Sequence, residues 1–172
     1  MDTAEVLHSK NTAISHGQAS PIQMSGIFLT VWSEDEKVRD TVLKTTPGGY
    51  PHVTFAYLGK TKTKEELDNV ACDLMRALSL TAVTLDRVAV NTFHWEKHNR
   101  DRHDVLMYLS DESADVIQLL RTMHGIPERE GQPDTHVTHM VDCGSAEEAE
   151  AVAANIRSLL PLRLTYNGVT ID

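Results

Sequence analysis

Apolar and polar residues follow two periods along this chain, and the period changes repeatedly. Alternating apolar, β-branched stretches predict strands, whereas apolar residues three and four positions apart predict helices. The predicted strands are 26–33, 52–58, 82–93, 104–110, 135–141 and 162–172, and the predicted helices are 34–44, 63–78, 111–125 and 145–159. Each half of the chain is therefore expected to be β-α-β-α-β, and this weak repeat predicts two related lobes, 26–93 and 104–172.

Local signals support these boundaries. Three helix starts carry the Ser/Thr-x-x-Glu pattern of a capping box, at Ser33, Thr63 and Ser145. Gly125 is placed to end the third helix. The final segment, 162–172, is either a single strand or a hairpin that turns at Asn167-Gly168.

The triplet His-Val-Thr occurs twice, at 52–54 and at 136–138. Random placement of the His, Val and Thr residues of this chain gives roughly 0.08 such triplets, so two copies exceed chance. Each copy lies on the predicted middle strand of its half, between a loop and a capped helix. The triplets therefore occupy the same place in the two lobes.

Side chains two residues apart on a strand point to the same face. His52 should therefore share a face with Thr54, and His136 with Thr138. If the lobes pack with pseudo-two-fold symmetry, the four side chains converge on one cleft. There, a neutral His can take a proton from water or a ribose hydroxyl while a protonated His supplies one to a leaving oxygen. The Thr hydroxyls can hold the phosphate between the two rings.

The paired motifs resemble those of the 2H phosphoesterase superfamily, and PHVTFAYLGKT (51–61) looks like the first motif of that group. The resemblance covers roughly 26–172 and implies an α+β fold with two pseudo-symmetric lobes and a central cleft. It also implies phosphodiester chemistry that needs no metal and no cofactor. It assigns catalysis to His52 and His136, and phosphate binding to Thr54 and Thr138.

One residue departs from the pattern of that superfamily. His139 follows the second motif, at a position where the superfamily usually has an apolar residue. Strand alternation turns it away from His136. It is expected either to be a partly buried, hydrogen-bonded side chain or to lie near the sheet edge.

Within the superfamily, the strand-rich start GIFLTVW (26–32), the motif spacing and the short C-terminal region look closest to the 2′,3′-cyclic nucleotide 3′-phosphodiesterase (CNPase-like) branch. This resemblance implies hydrolysis of a 2′,3′-cyclic phosphate on a nucleotide or RNA end, as in RNA processing. The enzymatic alternative is cleavage of 2′-5′ oligoadenylate or cyclic oligonucleotide signals, which several viral 2H proteins perform in immune evasion.

Other residues give less specific signals. Tyr50, Trp95 and Tyr108 are candidate substrate contacts, since aromatic rings can stack on a base. The charged segment 94–103 is expected to be a solvated loop between the lobes, with a lid over the cleft as the alternative. It holds three closely spaced histidines, His94, His98 and His103.

Two further classes of function stay open. A metal-dependent hydrolase would use those three histidines, although the segment has no cysteine or fourth ligand at a definite spacing. A non-catalytic nucleotide- or RNA-binding module could also be built from β-α-β units. RNA-recognition folds, however, display aromatic residues on their sheet, and aromatic residues make up only 5% of this chain.

Composition limits the partners and the location. A net charge of −9 over 172 residues disfavours binding along long duplex nucleic acid, which requires many Lys and Arg contacts to phosphates. The expected partner is a small nucleotide or oligonucleotide, and the expected state is a monomer. The chain lacks a signal peptide, an apolar membrane span and a CxxC pair, so a cytoplasmic location is expected. One folded domain, 23–172, should follow a polar, flexible tail at 1–22.

Overall fold

The computed structural model describes residues 26–46, 50–57, 63–127 and 133–172, so the predicted tail at 1–22 lies outside it. The described strands are β1 (Gly26–Trp32), β2 (His52–Tyr57), β3 (Ala82–Trp95), β4 (Arg100–Leu109), β5 (His136–Cys143) and β6 (Leu162–Ile171). The α-helices are α1 (Glu36–Thr41), α2 (Lys64–Leu78), α3 (Asp111–Met123) and α4 (Ala146–Arg157). The predicted β-α-β-α-β order of each half is confirmed.

The fold is α+β, with the six described strands paired antiparallel in one closed sheet. Their order is β1-β2-β5-β4-β3-β6. A two-fold rotation about the junction of β2 and β5 exchanges β1 with β4 and β3 with β6, so the two halves are pseudo-symmetric in topology. The third strand of each half pairs with the first strand of the other, β3 with β4 and β6 with β1. The two halves are therefore interlocked through their third strands.

Alternate strand positions form the core together with the apolar faces of the helices. Leu29, Val53, Met107 and Val137 are fully buried in one cluster with residues of α2, α3 and α4. The predicted inner face of α2 is buried as expected, at Leu67, Val70, Leu74 and Leu78. Each such side chain contributes roughly 1.5–3 kcal/mol on burial. Among the described residues, no helix is both long and apolar enough to cross a membrane.

The helix caps agree with the sequence at two of three sites. Thr63 forms the complete capping box with Glu66, and the Ser145 hydroxyl accepts from a backbone N–H of the first turn of α4. The prediction for Ser33 is wrong, because α1 is capped by the carboxylate of Asp35. The Ser33 hydroxyl instead accepts from the Asp35 N–H, and the helix begins at Glu36.

The C-terminal segment is a single strand, and the alternative of a turn at Asn167-Gly168 is wrong. The register with β1 shifts at this point, since Thr30 pairs with Gly168 and Val31 with Tyr166. A Cβ on Gly168 would lie 2.8 Å from the Thr30 hydroxyl. The glycine thus allows two strands to approach closely beside a bulge.

The segment 94–103 is not a loop, which corrects the prediction. β3 and β4 continue as a paired ribbon as far as Trp95 and Arg100. A 3-10 turn at Glu96–His98 connects them, and Asn99 adopts a left-handed φ of 47° after it. Its charged residues suggested a loop, but its two arginines have carboxylate partners, Arg100 with Asp142 and Arg102 with Asp104. An exposed ribbon can therefore carry a loop-like composition.

His139 is the buried, hydrogen-bonded side chain that was one of the two alternatives. It is 3% exposed, and its Nδ1 lies 3.0 Å from both the Val42 carbonyl and the Thr45 hydroxyl. Val42 and Thr45 belong to the turn after α1, which leads toward β2. The second motif strand is thereby joined to the segment that precedes the first motif.

We expect His139→Leu to lower the free energy of unfolding by about 1–3 kcal/mol at pH 7.5, because the carbonyl of buried Val42 and the hydroxyl of Thr45 lose their imidazole partner. Burial lowers the pKa of His139. As pH falls through about 6.5, the unfolded chain therefore takes up a proton before the folded chain does, and stability is lost. Urea unfolding at pH 7.5 and 5.5 should show that the free energy of unfolding falls less between these two pH values in the variant than in the wild type.

The matched control for this measurement is His98→Leu on the exposed end of the ribbon. This control should leave both the stability and its pH dependence near those of the wild type. If the free energy of unfolding of His139→Leu fell between pH 7.5 and 5.5 as much as that of the wild type, His139 would not be a source of the pH dependence.

Candidate active site

The two His-Val-Thr triplets lie side by side where β2 meets β5. The two strands pair antiparallel through Val53 and Val137, both fully buried. This register places His52 opposite Thr138 and Thr54 opposite His136. These four side chains lie on the face of the sheet opposite to that of the two valines. All four polar side chains are partly buried there and line one cavity. The structure therefore brings together the four residues that the sequence singled out.

Pseudo-equivalent apolar residues flank the two threonines. Phe28 of β1 pairs with Thr54, and Leu106 of β4 pairs with Thr138. Both are almost fully buried, at 1% and 3% exposure. The Phe28 ring also meets the His52 ring edge-on, with centroids 5.2 Å apart. An apolar residue of the neighbouring strand therefore lies beside each threonine.

Each histidine is oriented by the carbonyl two residues before it. Nδ1 of His52 lies 3.3 Å from the Tyr50 carbonyl oxygen, and Nδ1 of His136 lies 2.7 Å from that of Asp134. A carbonyl oxygen only accepts hydrogen bonds, so Nδ1 carries the hydrogen in both rings. In each ring, Nε2 is therefore the nitrogen left for acid or base chemistry.

Burial lowers the pKa of both histidines. For His52, the nearby His136 ring lowers the pKa further, which shows that the two imidazoles interact electrostatically. For His136, the carboxylates of Asp104 and Asp134 partly oppose the effect of burial, and Arg121 adds to it. Two positive rings in this cleft repel each other, so the state with one neutral and one protonated ring is favoured over the doubly charged one.

The cavity around the site has a volume of about 730 Å³ and extends mainly to one side. Beyond the motif strands, its lining comes from β3, β4 and α3, including Arg87, Asn91, Asp104 and Gln118. This volume lies within the range of small-molecule sites. A ligand bound at the histidines therefore has space toward β4, β3 and α3.

The three aromatic candidates have different positions. The Tyr50 ring lies beside His52, with centroids 5.3 Å apart, and the Tyr108 ring lies beside His136 at 6.0 Å. The Arg87 guanidinium sits over the Tyr108 ring. None of the three candidates is among the described residues that line the cavity, and Trp95 lies on the ribbon, in contact with His98, Arg100 and Arg102. Tyr50 and Tyr108 therefore lie beside the motif histidines, whereas Trp95 lies on the ribbon.

The three histidines of the ribbon have separate partners. His94 lies beside Asp101, His103 bonds to Thr92, and His98 stacks on Trp95. Within the described ranges, no group of three or more His, Cys, Asp or Glu side chains is arranged to hold a metal ion. The structure thus gives no described metal site for the hydrolase alternative.

Two residues near the site were missed by the sequence analysis. Asp104 is 6% exposed, lines the cavity and holds Arg102 through two hydrogen bonds. Arg121 of α3 reaches the backbone of β2. A signal existed for each: Asp104 stands two residues before Leu106 on the same strand face, and Arg121 lies four residues after the buried Ile117 on the inner face of its helix.

Comparison with known proteins adds a likeness of fold. No family model matches the sequence, and no curated protein matches it. Among solved structures, the chain is similar to Kluyveromyces marxianus Usb1, both alone and with uridine monophosphate. In each case the identity is 14%, the TM-score is 0.48, and the match covers 87% of this chain and 97% of the other. At that identity and TM-score, the likeness assigns no activity, so the functional argument rests on the site.

We expect His136→Ala to raise the pKa of His52, because the substitution removes a neighbouring positive charge and admits water. An NMR titration of the imidazole resonances, assigned by substitution, would measure the shift. The control His98→Ala should leave the His52 titration unchanged, since that residue lies on the ribbon. An unshifted His52 in the His136→Ala protein would mean that the rings do not share a site.

Proposed function

We propose that this protein is a metal-independent phosphodiesterase of the 2H type, which hydrolyses a 2′,3′-cyclic phosphate on a nucleotide or RNA end. The observation that carries the proposal is the pair of histidines, each with Nδ1 fixed on a carbonyl and Nε2 free, with a threonine across the strand junction from each. The resemblance of the motifs to the 2H superfamily supports the same conclusion.

The arrangement supports a two-histidine mechanism. Neutral His52 accepts a proton at Nε2 from a water molecule as the water oxygen bonds to phosphorus. The bond from phosphorus to the ribose O3′ breaks, and O3′ receives the proton from Nε2 of protonated His136. The products are a 2′-phosphate and a free 3′-hydroxyl, and exchange of one proton with solvent returns both rings to their starting states.

The surroundings favour this division of roles. Burial is the largest cause at both rings and lowers both pKa values, but the carboxylates of Asp104 and Asp134 oppose it at His136, whereas the His136 ring adds to it at His52. The hydroxyls of Thr54 and Thr138 would donate hydrogen bonds to the non-bridging phosphate oxygens, whose charge increases in the transition state. Tyr50 and Tyr108 would contact the nucleoside.

A second candidate within the same chemistry is cleavage of a 2′-5′ oligoadenylate or a cyclic oligonucleotide. The observation that favours it is the extension of the cavity past His136 toward Arg87 and Asn91, which leaves space beyond a single phosphate. The acid and base roles of the histidines would be the same. The two candidates differ in the length of the substrate, which an activity panel resolves.

We expect the wild type to hydrolyse one member of a panel made of 2′,3′-cyclic AMP, 2′-5′ tri-adenylate and a 3′,3′-linked cyclic dinucleotide, in the presence of EDTA. His52→Ala and His136→Ala should each lower kcat by roughly 10²- to 10⁴-fold, because each removes one proton transfer. Chromatography of the products measures the rates and identifies which bond opens.

His98→Ala serves as the matched control, since it removes an imidazole from the exposed ribbon and should retain wild-type kcat. Full activity in either active-site variant would overturn the two-histidine mechanism. Loss of activity with EDTA would support a metal-dependent hydrolase instead. Nucleotide binding without turnover, equal in the wild type and both variants, would support a binding module.

A further inference from the structure

Among the described residues, the junction between β2 and β5 has the shortest pairing of the six junctions in the closed sheet. Its register joins Val53 with Val137, while β3 and β4 pair over ten positions and β1 and β2 over five. Yet this junction carries the two motif strands, so the separation of the two imidazoles depends on it. Contacts outside the ladder must therefore hold the strands together.

Arg121 supplies such contacts from α3. Its Nε donates to the Phe55 carbonyl at 2.8 Å, and one terminal nitrogen donates to the Thr54 carbonyl at 2.8 Å. The other terminal nitrogen donates to the Thr135 hydroxyl at 3.1 Å. The first two acceptors belong to β2, and Thr135 directly precedes His136. One planar guanidinium thus connects a residue of the first motif to the residue before the second motif.

The guanidinium is well suited to this position. Its donors are fixed in one plane, so the three acceptors are held at set distances from one another. Thr135 is itself anchored, because its carbonyl accepts from the Leu109 N–H of β4. A lysine would keep the charge but presents a single ammonium on a flexible stem, so it cannot span both strands in the same way.

We propose that Arg121 is a positioning residue, which fixes the separation of His52 and His136 by tying β2 to the start of β5. The catalytic consequence of this inference rests on the proposed phosphodiesterase function. The geometry of the Arg121 contacts is independent of that function. Arg121 does not act on the substrate in this proposal. It acts through the backbone of the two motif strands.

The kinetic test compares Arg121→Lys and Arg121→Met with the wild type on the substrate identified by the panel. We expect both variants to lower kcat by about 10²-fold, because a shift of about 1 Å between catalytic groups costs this much, while KM changes far less. Thr135→Val removes one of the three acceptors and should give a smaller loss, of about tenfold. Wild-type kcat in Arg121→Lys would show that only the charge matters and would overturn the proposal.

Arg157→Met is the matched control, since Arg157 also extends from a helix to a strand carbonyl, that of Val88, but far from the motifs in the chain. It should retain wild-type kcat. Circular dichroism and thermal unfolding verify that each variant is folded. If the Arg121 variants do not fold, Thr135→Val carries the test, and unchanged kcat in that variant counts against the proposal.

A second readout does not depend on turnover. In the wild-type background, His136→Ala should shift the His52 titration, as described above for the site. In the Arg121→Lys background this shift should be smaller, because the imidazoles lie farther apart and are more hydrated. An undiminished shift would overturn the positioning role. If the wild type hydrolyses no substrate, the proposed function fails, while this titration still decides the role of Arg121.

Discussion

The structure depends on one junction, the meeting of β2 with β5. Val53 and Val137 pair there with fully buried side chains, and all four motif side chains project from the neighbouring positions. The junction lies on the pseudo-two-fold axis, which explains why two copies of one triplet suffice to build a site with two imidazoles. A change in strand register by one residue would move His and Thr to the core and valine to the cleft. The buried valine pair therefore fixes the chemistry as well as the packing.

The side chains of His139 on β5 and Arg121 on α3 stabilise this junction at its two ends. At one end His139 bonds to the turn that follows α1, and at the other Arg121 bonds to the carbonyls of Thr54 and Phe55. Phe55 and His139 are pseudo-equivalent, since each follows the threonine of its triplet. The two positions are therefore equivalent, but their side chains differ in chemistry. The guanidinium of Arg121 lies over the Phe55 ring in the first half, whereas the buried His139 imidazole occupies this position in the second half.

Much of the fold and the central part of the site were predictable from the sequence, for physical reasons. Side-chain alternation fixes which residues share a strand face, so the grouping of His52 with Thr54 and of His136 with Thr138 needed no tertiary information. The caps at Thr63 and Ser145 are equally local. What escaped prediction depends on neighbours that are distant in the chain: the pairing of the ribbon at 94–103, the bulge at Asn167, and the reach of Arg121 across two strands. A composition typical of loops says little about a ribbon whose charges are paired.

The cleft surrounds the two equivalent histidines with different residues. Both rings bond through Nδ1 to a preceding carbonyl, so their intrinsic chemistry is the same. Their surroundings differ, because the Phe28 ring stands beside His52, whereas the Asp104 carboxylate stabilises a positive charge on His136. The cavity also extends on the side of His136, toward Arg87 and Asn91. A duplicated motif thus places two like imidazoles in one cleft, and the unequal residues around them give the two rings different electrostatic environments.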